Sequence, residues 1–266
     1  MSEASQRFSA QEKACYEEQG FVVRTGVFET REIAAIVEEC EALVERVIRN
    51  RESQRQRFGS YTFDADVENG VMIKWEGESD VGHGLEPFAH LSEPLNAWAH
   101  DPRFIEPMKD ILGCDEPALF TEKLNLKRPH HGGVNPLHQD YPYWVRVAED
   151  ASEVATAMLF LDDADLENGC LHVVPGSHRR GQWDLSENED RFARIELNES
   201  MLGELKSVPV EVTAGSLILF GPYLVHQSAP NLSDRERRAL LYSYQPPGRT
   251  SQLEAFRRGY SSRQES

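Results

Sequence analysis

Two textures of hydrophobic and polar spacing divide this chain. From Thr30, apolar residues recur at Ile33, Ile36, Val37, Cys40, Leu43, Val44, Val47 and Ile48. That three-and-four spacing lays one stripe along a helix. Ser9-Ala10-Gln11-Glu12 has capping-box form, and Gly20 is placed to stop the helix it opens. Phe21-Val22-Val23 follows as a short strand. Asp101-Pro102 starts a further helix, with aspartate as cap and proline in the first turn; Gly113 ends it and Pro107 is placed to kink it. The polar stretch Arg51 to Arg57 reads as a solvated loop or frayed helix end. Residues 1–117 are therefore expected to be mostly helical.

From Ala118 onward the period shortens. Strand-like runs cover Leu119–Leu126, Pro136–Tyr143, Ala155–Leu161, Leu171–Val174, Val208–Val212, Ser216–Phe220, Leu224–Ser228 and Ala239–Tyr244. Turns at Gly132-Gly133, Asn168-Gly169 and Pro175-Gly176 separate them. This predicts a mainly β sandwich or jelly roll over residues 118–247, braced by the N-terminal helices. A polar tail follows over 248–266, and the whole chain of 266 residues is expected to form one domain. There is no internal repeat.

Composition narrows the partners. With 45 acids against 28 bases the formal charge is -17. Such a surface repels nucleic acid and anionic membranes and disfavours highly anionic substrates, so a neutral or cationic small molecule is expected. No apolar run reaches the length of a membrane span, and the N-terminus lacks the apolar core of a signal peptide. Cys15, Cys40, Cys114 and Cys170 are scattered with no CxxC pair. They read as thiols in a reducing cytoplasm, not as a zinc site or disulfide framework.

His138-Gln139-Asp140 carries the most chemistry. If extended, His138 and Asp140 point from one face of a strand and can converge on one metal ion. A second histidine, His226, would complete a 2-His-1-carboxylate triad of the kind that holds non-heme Fe(II) and leaves coordination positions open. If such a site uses 2-oxoglutarate, the distal carboxylate of that co-substrate needs a buried cation. Arg237, 11 residues beyond His226 (237 − 226), suits it, because a guanidinium matches a carboxylate bidentately and keeps its charge. On its strand Arg237 shares a face with Ala239, Leu241 and Ser243. Arg235 has the same parity and stays as the alternative. Ser228 shares a face with His226 and can add a hydrogen bond.

Taken in order, Pro136-Leu137-His138-Gln139-Asp140, Glu167-Asn168-Gly169-Cys170-Leu171, Val174-Pro175-Gly176-Ser177-His178 and His226-Gln227-Ser228 through Arg237 resemble the phytanoyl-CoA dioxygenase family of Fe(II)/2-oxoglutarate-dependent oxygenases. Tyr16 to Val23 resembles the start of that family. The resemblance implies a double-stranded β-helix, cupin-like, with Fe(II) held by His138, Asp140 and His226. It implies 2-oxoglutarate gripped by Arg237 and Ser228, with Gln139 and the strand from Lys123 to Lys127 lining the co-substrate pocket, and O2 as the second co-substrate. Many relatives carry tryptophan where this chain has Met158, so one wall of that pocket is altered. The implied reaction is hydroxylation of a small molecule with release of succinate and CO2. Desaturation, cyclisation or epimerisation by the same oxidant is the alternative, as is a non-catalytic metal- or ligand-binding barrel. Because Asp140 is present, no position is vacated for halide, and halogenation is not expected.

For the substrate pocket the candidates are Tyr141, Tyr143 and Trp144, which follow the metal motif, His131 beside the glycine loop, and Lys74. The blander readings are ordinary packing for the aromatics, an exposed loop for His130 and His131, and an edge strand for Lys74. His178 reads as stabilising a turn, and His172 as structural.

Overall fold

A computed structural model describes residues 6–49, 56–58, 61–77, 79–183 and 196–264. The helices include α1 (Ala10–Gln19), α2 (Thr30–Arg49), α3 (Glu93–Trp98), α4 (Pro102–Leu112), α5 (Tyr141–Trp144) and α6 (Gln252–Gln264). The strands are β1 (Phe21–Arg24), β2 (Gln56–Phe58), β3 (Tyr61–Asp66), β4 (Val71–Trp75), β5 (Gly82–Glu86), β6 (Ala118–Lys127) and β7 (Asn135–His138). They continue with β8 (Ala155–Phe160), β9 (Leu171–Val173), β10 (Val208–Val210), β11 (Leu217–Phe220), β12 (His226–Ser228) and β13 (Arg237–Gln245).

The local signals set the helix ends as expected. Ser9 and Glu12 form the reciprocal capping box, and Gly20 ends α1 in the left-handed region at φ 88°. Asp101 caps α4, and Gly113 closes it. The stripe of α2 is buried at Ile33, Ile36, Cys40, Leu43 and Val44. Burying each large aliphatic side chain there contributes about 1.5–3 kcal/mol.

The strands form two antiparallel sheets. The large one runs β1-β11-β8-β13-β6-β5-β4-β3-β2, and the small one β10-β9-β12-β7. Alternation along the central strands divides the large sheet into two faces. Ala155, Ala157 and Leu159 of β8, with Leu240, Tyr242 and Tyr244 of β13, pack among the buried residues of α2 and α4. The opposite face presents Met158, Phe160, Ile218, Phe220 and Ala239 to Leu171 and Val173 of the small sheet. This is a jelly roll backed by helices, and the space between its sheets is where a site can lie. No helix among the described residues is long and apolar enough to cross a membrane.

Two expectations need correction. Residues 1–117 are not mostly helical in their second half: β2 to β5 extend the large sheet past β6, and only Gln56 and Arg57 of the polar stretch at 51–57 are described, as the start of β2. Alternation there was masked by polar residues such as Asp64 and Lys74, which face inward. The polar tail carries α6. The run Pro136–Tyr143 is not one strand, because β7 stops at His138 and α5 begins at Tyr141.

Candidate active site

In the small sheet β12 pairs antiparallel with β7, and His226 stands directly opposite His138. Their ring centroids are 4.2 Å apart. Each Nδ1 lies within hydrogen-bonding distance of a carbonyl two residues earlier on its own strand, 2.7 Å to Pro136 for His138 and 3.0 Å to Leu224 for His226. In the tautomer that makes Nδ1 the donor, Nε2 keeps its lone pair free for a metal.

Asp140 reaches the same point by a different route from the one expected. Its backbone is helical, at φ -74° and ψ -28°, and it precedes the first turn of α5. The turn, and not strand alternation, brings Asp140 Oδ1 to 3.6 Å from His138 Nε2 and 4.0 Å from His226 Nε2. One potential ligand atom from each of the three residues lies within 4.8 Å of the others. Burial acts to raise the Asp140 carboxyl, but His226, His138 and Lys123 outweigh it and hold it at about 2. Burial, reinforced by His138, pushes His226 down to about 4. At neutral pH the cluster thus offers an ionised carboxylate and a neutral His226, the protonation states that ligate a divalent cation.

The cluster opens on a cavity of about 590 Å³ between the sheets. Arg237, at the start of β13, is 1% exposed and lines that cavity. Its Nε donates to the Gly169 carbonyl at 3.1 Å, and its guanidinium lies 5.7 Å from the centre of the Phe160 ring. Its Nη1 has no hydrogen-bond partner among the described residues. Burial pushes the guanidinium down to about 10, still charged at neutral pH. A buried, charged guanidinium with a donor to spare is suited to receive a carboxylate. Arg235, by contrast, is solvent-facing and paired with Asp165 and Glu167. The Gly169 that fixes Arg237 cannot carry a side chain: its φ is +79°, and a Cβ there would sit 2.3 Å from the Ala229 carbonyl oxygen.

Other candidates divide. Ser228 lines the cavity, with its hydroxyl 3.1 Å from the Asn135 amide nitrogen. Lys123 and Met158 line it too, as do Lys74 and Trp144. Lys74 lies 3.4 Å from the Glu86 carboxylate, and burial together with Lys123 pushes it down to about 7. Tyr143 meets the His138 ring edge-on at 5.6 Å.

Gln139 is not a cavity residue. Its amide donates to the carbonyls of Gly181 and Tyr223 and accepts from the Trp183 N–H, so it fastens loops behind the site. Lys127 likewise turns away, donating to the carbonyls of Gly133 and Ala229. Tyr141 stacks on Tyr223 at 4.7 Å outside the cavity, and His131 is an exposed loop residue. His178 packs against Gly20, near the turn it was expected to stabilise.

Asn125 lines the cavity within the strand expected to do so, whereas sequence reasoning missed Asn135, Thr121 and Thr156 on the cavity wall, and Phe63 and Phe256 at its sides. For β6 the signal was available, since Thr121 and Asn125 share parity with Lys123. For Phe63 and Phe256 it was not, because β3 and α6 reach the cavity only through long-range packing.

Comparison with known proteins agrees with this architecture. A family model described as phytanoyl-CoA dioxygenase (PhyH) matches residues 16–239. The chain is 31% identical to bovine (Bos taurus) phytanoyl-CoA dioxygenase domain-containing protein 1 across 61% of this chain and 55% of that one, so it spans about half the length of this relative. It is 31% identical to L-proline trans-4-hydroxylase of Streptomyces griseoviridis, across 65% of this chain and 70% of the other. Among solved structures it resembles EctD from S. alaskensis, determined with 2-oxoglutarate and 5-hydroxyectoine, with a TM-score of 0.69 at 21% identity, covering 90% of this chain and 76% of that one. The match of the family model to most of the sequence places this chain in the phytanoyl-CoA dioxygenase family.

Proposed function

We propose that this protein is an Fe(II)- and 2-oxoglutarate-dependent dioxygenase that hydroxylates a small molecule. The observation that carries this reading is the His138, Asp140 and His226 cluster sharing one cavity with the under-satisfied Arg237 guanidinium. In it His138 and His226 would hold iron through Nε2, and Asp140 through an ionised carboxylate oxygen. When bound, iron together with 2-oxoglutarate and O2 supplies the oxidant, with succinate and CO2 as products.

The remaining work belongs to the chain. Arg237 receives the distal carboxylate of 2-oxoglutarate, and Ser228 adds a hydroxyl from the facing sheet. Met158, Phe220 and Leu171 supply apolar walls that keep water from the reacting centre. Asp140 retains the carboxylate that a halide-transferring site would lack, which favours hydroxylation. The free thiols of Cys15, Cys40, Cys114 and Cys170 suit a reducing, cytoplasmic setting.

Anaerobic addition of Fe(II) and 2-oxoglutarate tests the reading. A visible metal-to-ligand charge-transfer band, followed by succinate on admitting O2, is the expected result. A band with no O2-dependent succinate, even across a broad panel of candidate substrates, identifies a non-catalytic binder instead.

A further inference from the structure

The cavity has a second polar end that the iron and co-substrate reading leaves unused. Thr121 of β6, Ser243 of β13 and Thr156 of β8 lie in one row across three neighbouring strands, because Ser243 is paired with both threonines. All three line the cavity, and each is at most 3% exposed. Thr156 Oγ1 and Ser243 Oγ are 2.8 Å apart and bond each other. Thr121 Oγ1 has no hydrogen-bond partner among the described residues. A buried hydroxyl without a partner lowers stability and persists where something else makes use of it. The bonded pair uses one proton between its two hydroxyls, so the row retains two protons to donate as well as lone pairs to accept.

Position decides what the row can bind. Ser243 lies six residues beyond Arg237 on the same face of β13. At 3.3–3.4 Å per residue that places the two about 20 Å apart. A five-carbon dicarboxylate, four C–C bonds of about 1.5 Å each, spans less than half of this. Co-substrate held by Arg237 therefore cannot occupy the hydroxyl row. The α6 helix packs on β6 and brings Gln252 to the cavity wall, where its Oε1 is also buried without a partner among the described residues. The row itself is uncharged; Lys123, two residues from Thr121 on the same face of β6, acts on Asp140 and Lys74, and burying an unpaired ion against the hydroxyls is unfavourable.

We propose that the primary substrate presents an uncharged hydrogen-bonding group, a hydroxyl above all, to the Thr121–Ser243–Thr156 row while its oxidised carbon faces the iron. Thr121 is thereby a specificity residue. The proposal rests on the co-substrate reading of Arg237 and extends it. It excludes a substrate whose inner end is bare alkyl chain or a carboxylate.

The test is ligand-observed NMR on the full chain saturated with 2-oxoglutarate and Mn(II), with cyclohexanol as probe. Cyclohexanol receives saturation transfer from the protein, and T121V weakens its binding about tenfold, the loss of one hydrogen bond. T121S, which keeps the hydroxyl, binds within about twofold of the parent. T121V melts no lower than the parent, because no bond within the protein is removed, whereas a merely structural threonine would melt lower on losing its hydroxyl. The proposal is overturned if cyclohexanol fails to bind, if T121V binds it as the parent does, or if cyclohexanecarboxylate or cyclohexylammonium binds more tightly. Thr121-dependent binding with no Mn(II) broadening of the probe supports the row and instead overturns the metal reading, which separates the two failures.

Discussion

His226 stands directly across the β12–β7 pair from His138, with the two rings 4.2 Å apart. Two imidazoles held this close, beside the Asp140 carboxylate, can share one cation. In the absence of metal, H138A is expected to change stability little. Saturating Fe(II), Mn(II) or Co(II) is expected to raise the melting temperature of the parent under anaerobic conditions but not that of H138A, since a ligand stabilises only a state that binds it. Differential scanning fluorimetry with and without metal checks this. Equal metal-induced shifts in both proteins would remove His138 from the ligand set.

Arg237 and Arg235 share a strand face in sequence, yet only Arg237 is buried. R237A is expected to weaken 2-oxoglutarate binding by about 100-fold, as the loss of a bidentate charged contact implies. R235A, which removes an exposed ion pair, is expected to change it less than about threefold. Titration of the anaerobic charge-transfer band measures both, and the opposite ranking would transfer the anchor to Arg235.

Gln139 sits between two proposed ligands but serves the loops behind them. Q139A strands the carbonyls of Gly181 and Tyr223 and the Trp183 N–H, at a cost of about 2–4 kcal/mol. Urea denaturation of the metal-free protein is expected to show that loss. Below the transition, 2-oxoglutarate affinity is expected to stay near that of the parent. A large affinity change with unaltered stability would return Gln139 to the co-substrate pocket.

Burial raises the Glu122 carboxyl to about 7, against backbone N–H groups of Ala89 and Phe88 that favour its ionised form. Between the ordinary carboxyl value of 4.5 and about 7 the folded state holds a proton that the unfolded state has lost. Stability therefore falls as pH rises through this window, by up to ~3 kcal/mol from this group. E122Q is expected to flatten that part of the profile, because its carbonyl oxygen still accepts from both N–H groups. Unfolding free energy measured from pH 4.5 to 7.5 decides it: an identical slope in E122Q would assign the dependence elsewhere.

Much of the site could be read along the chain because its logic is local. Strand parity alone puts Arg237, Leu241 and Ser243 on one face, and the structure places all three on the cavity wall. Cap residues, which act within one turn, placed the ends of α1 and α4. Parity failed at Asp140, where the chain leaves β7 for a helical turn that depends on tertiary packing of Pro142 and Trp144. At Gln139 it was the family resemblance that misled, since the partners of its amide at Gly181, Trp183 and Tyr223 are remote in sequence.

By itself, then, the sequence determined which side chains are available for iron and co-substrate, the order in which they occur, and the side of β13 that carries the cation. Only the tertiary structure decided that β2 to β5 widen the sheet, that α6 helps to close the cavity, and that Thr121, Ser243 and Thr156 form one row. The reason is the range of the forces involved. Side-chain alternation and capping are written into neighbouring residues, whereas sheet register and cavity shape arise from burying apolar faces that lie far apart in the chain.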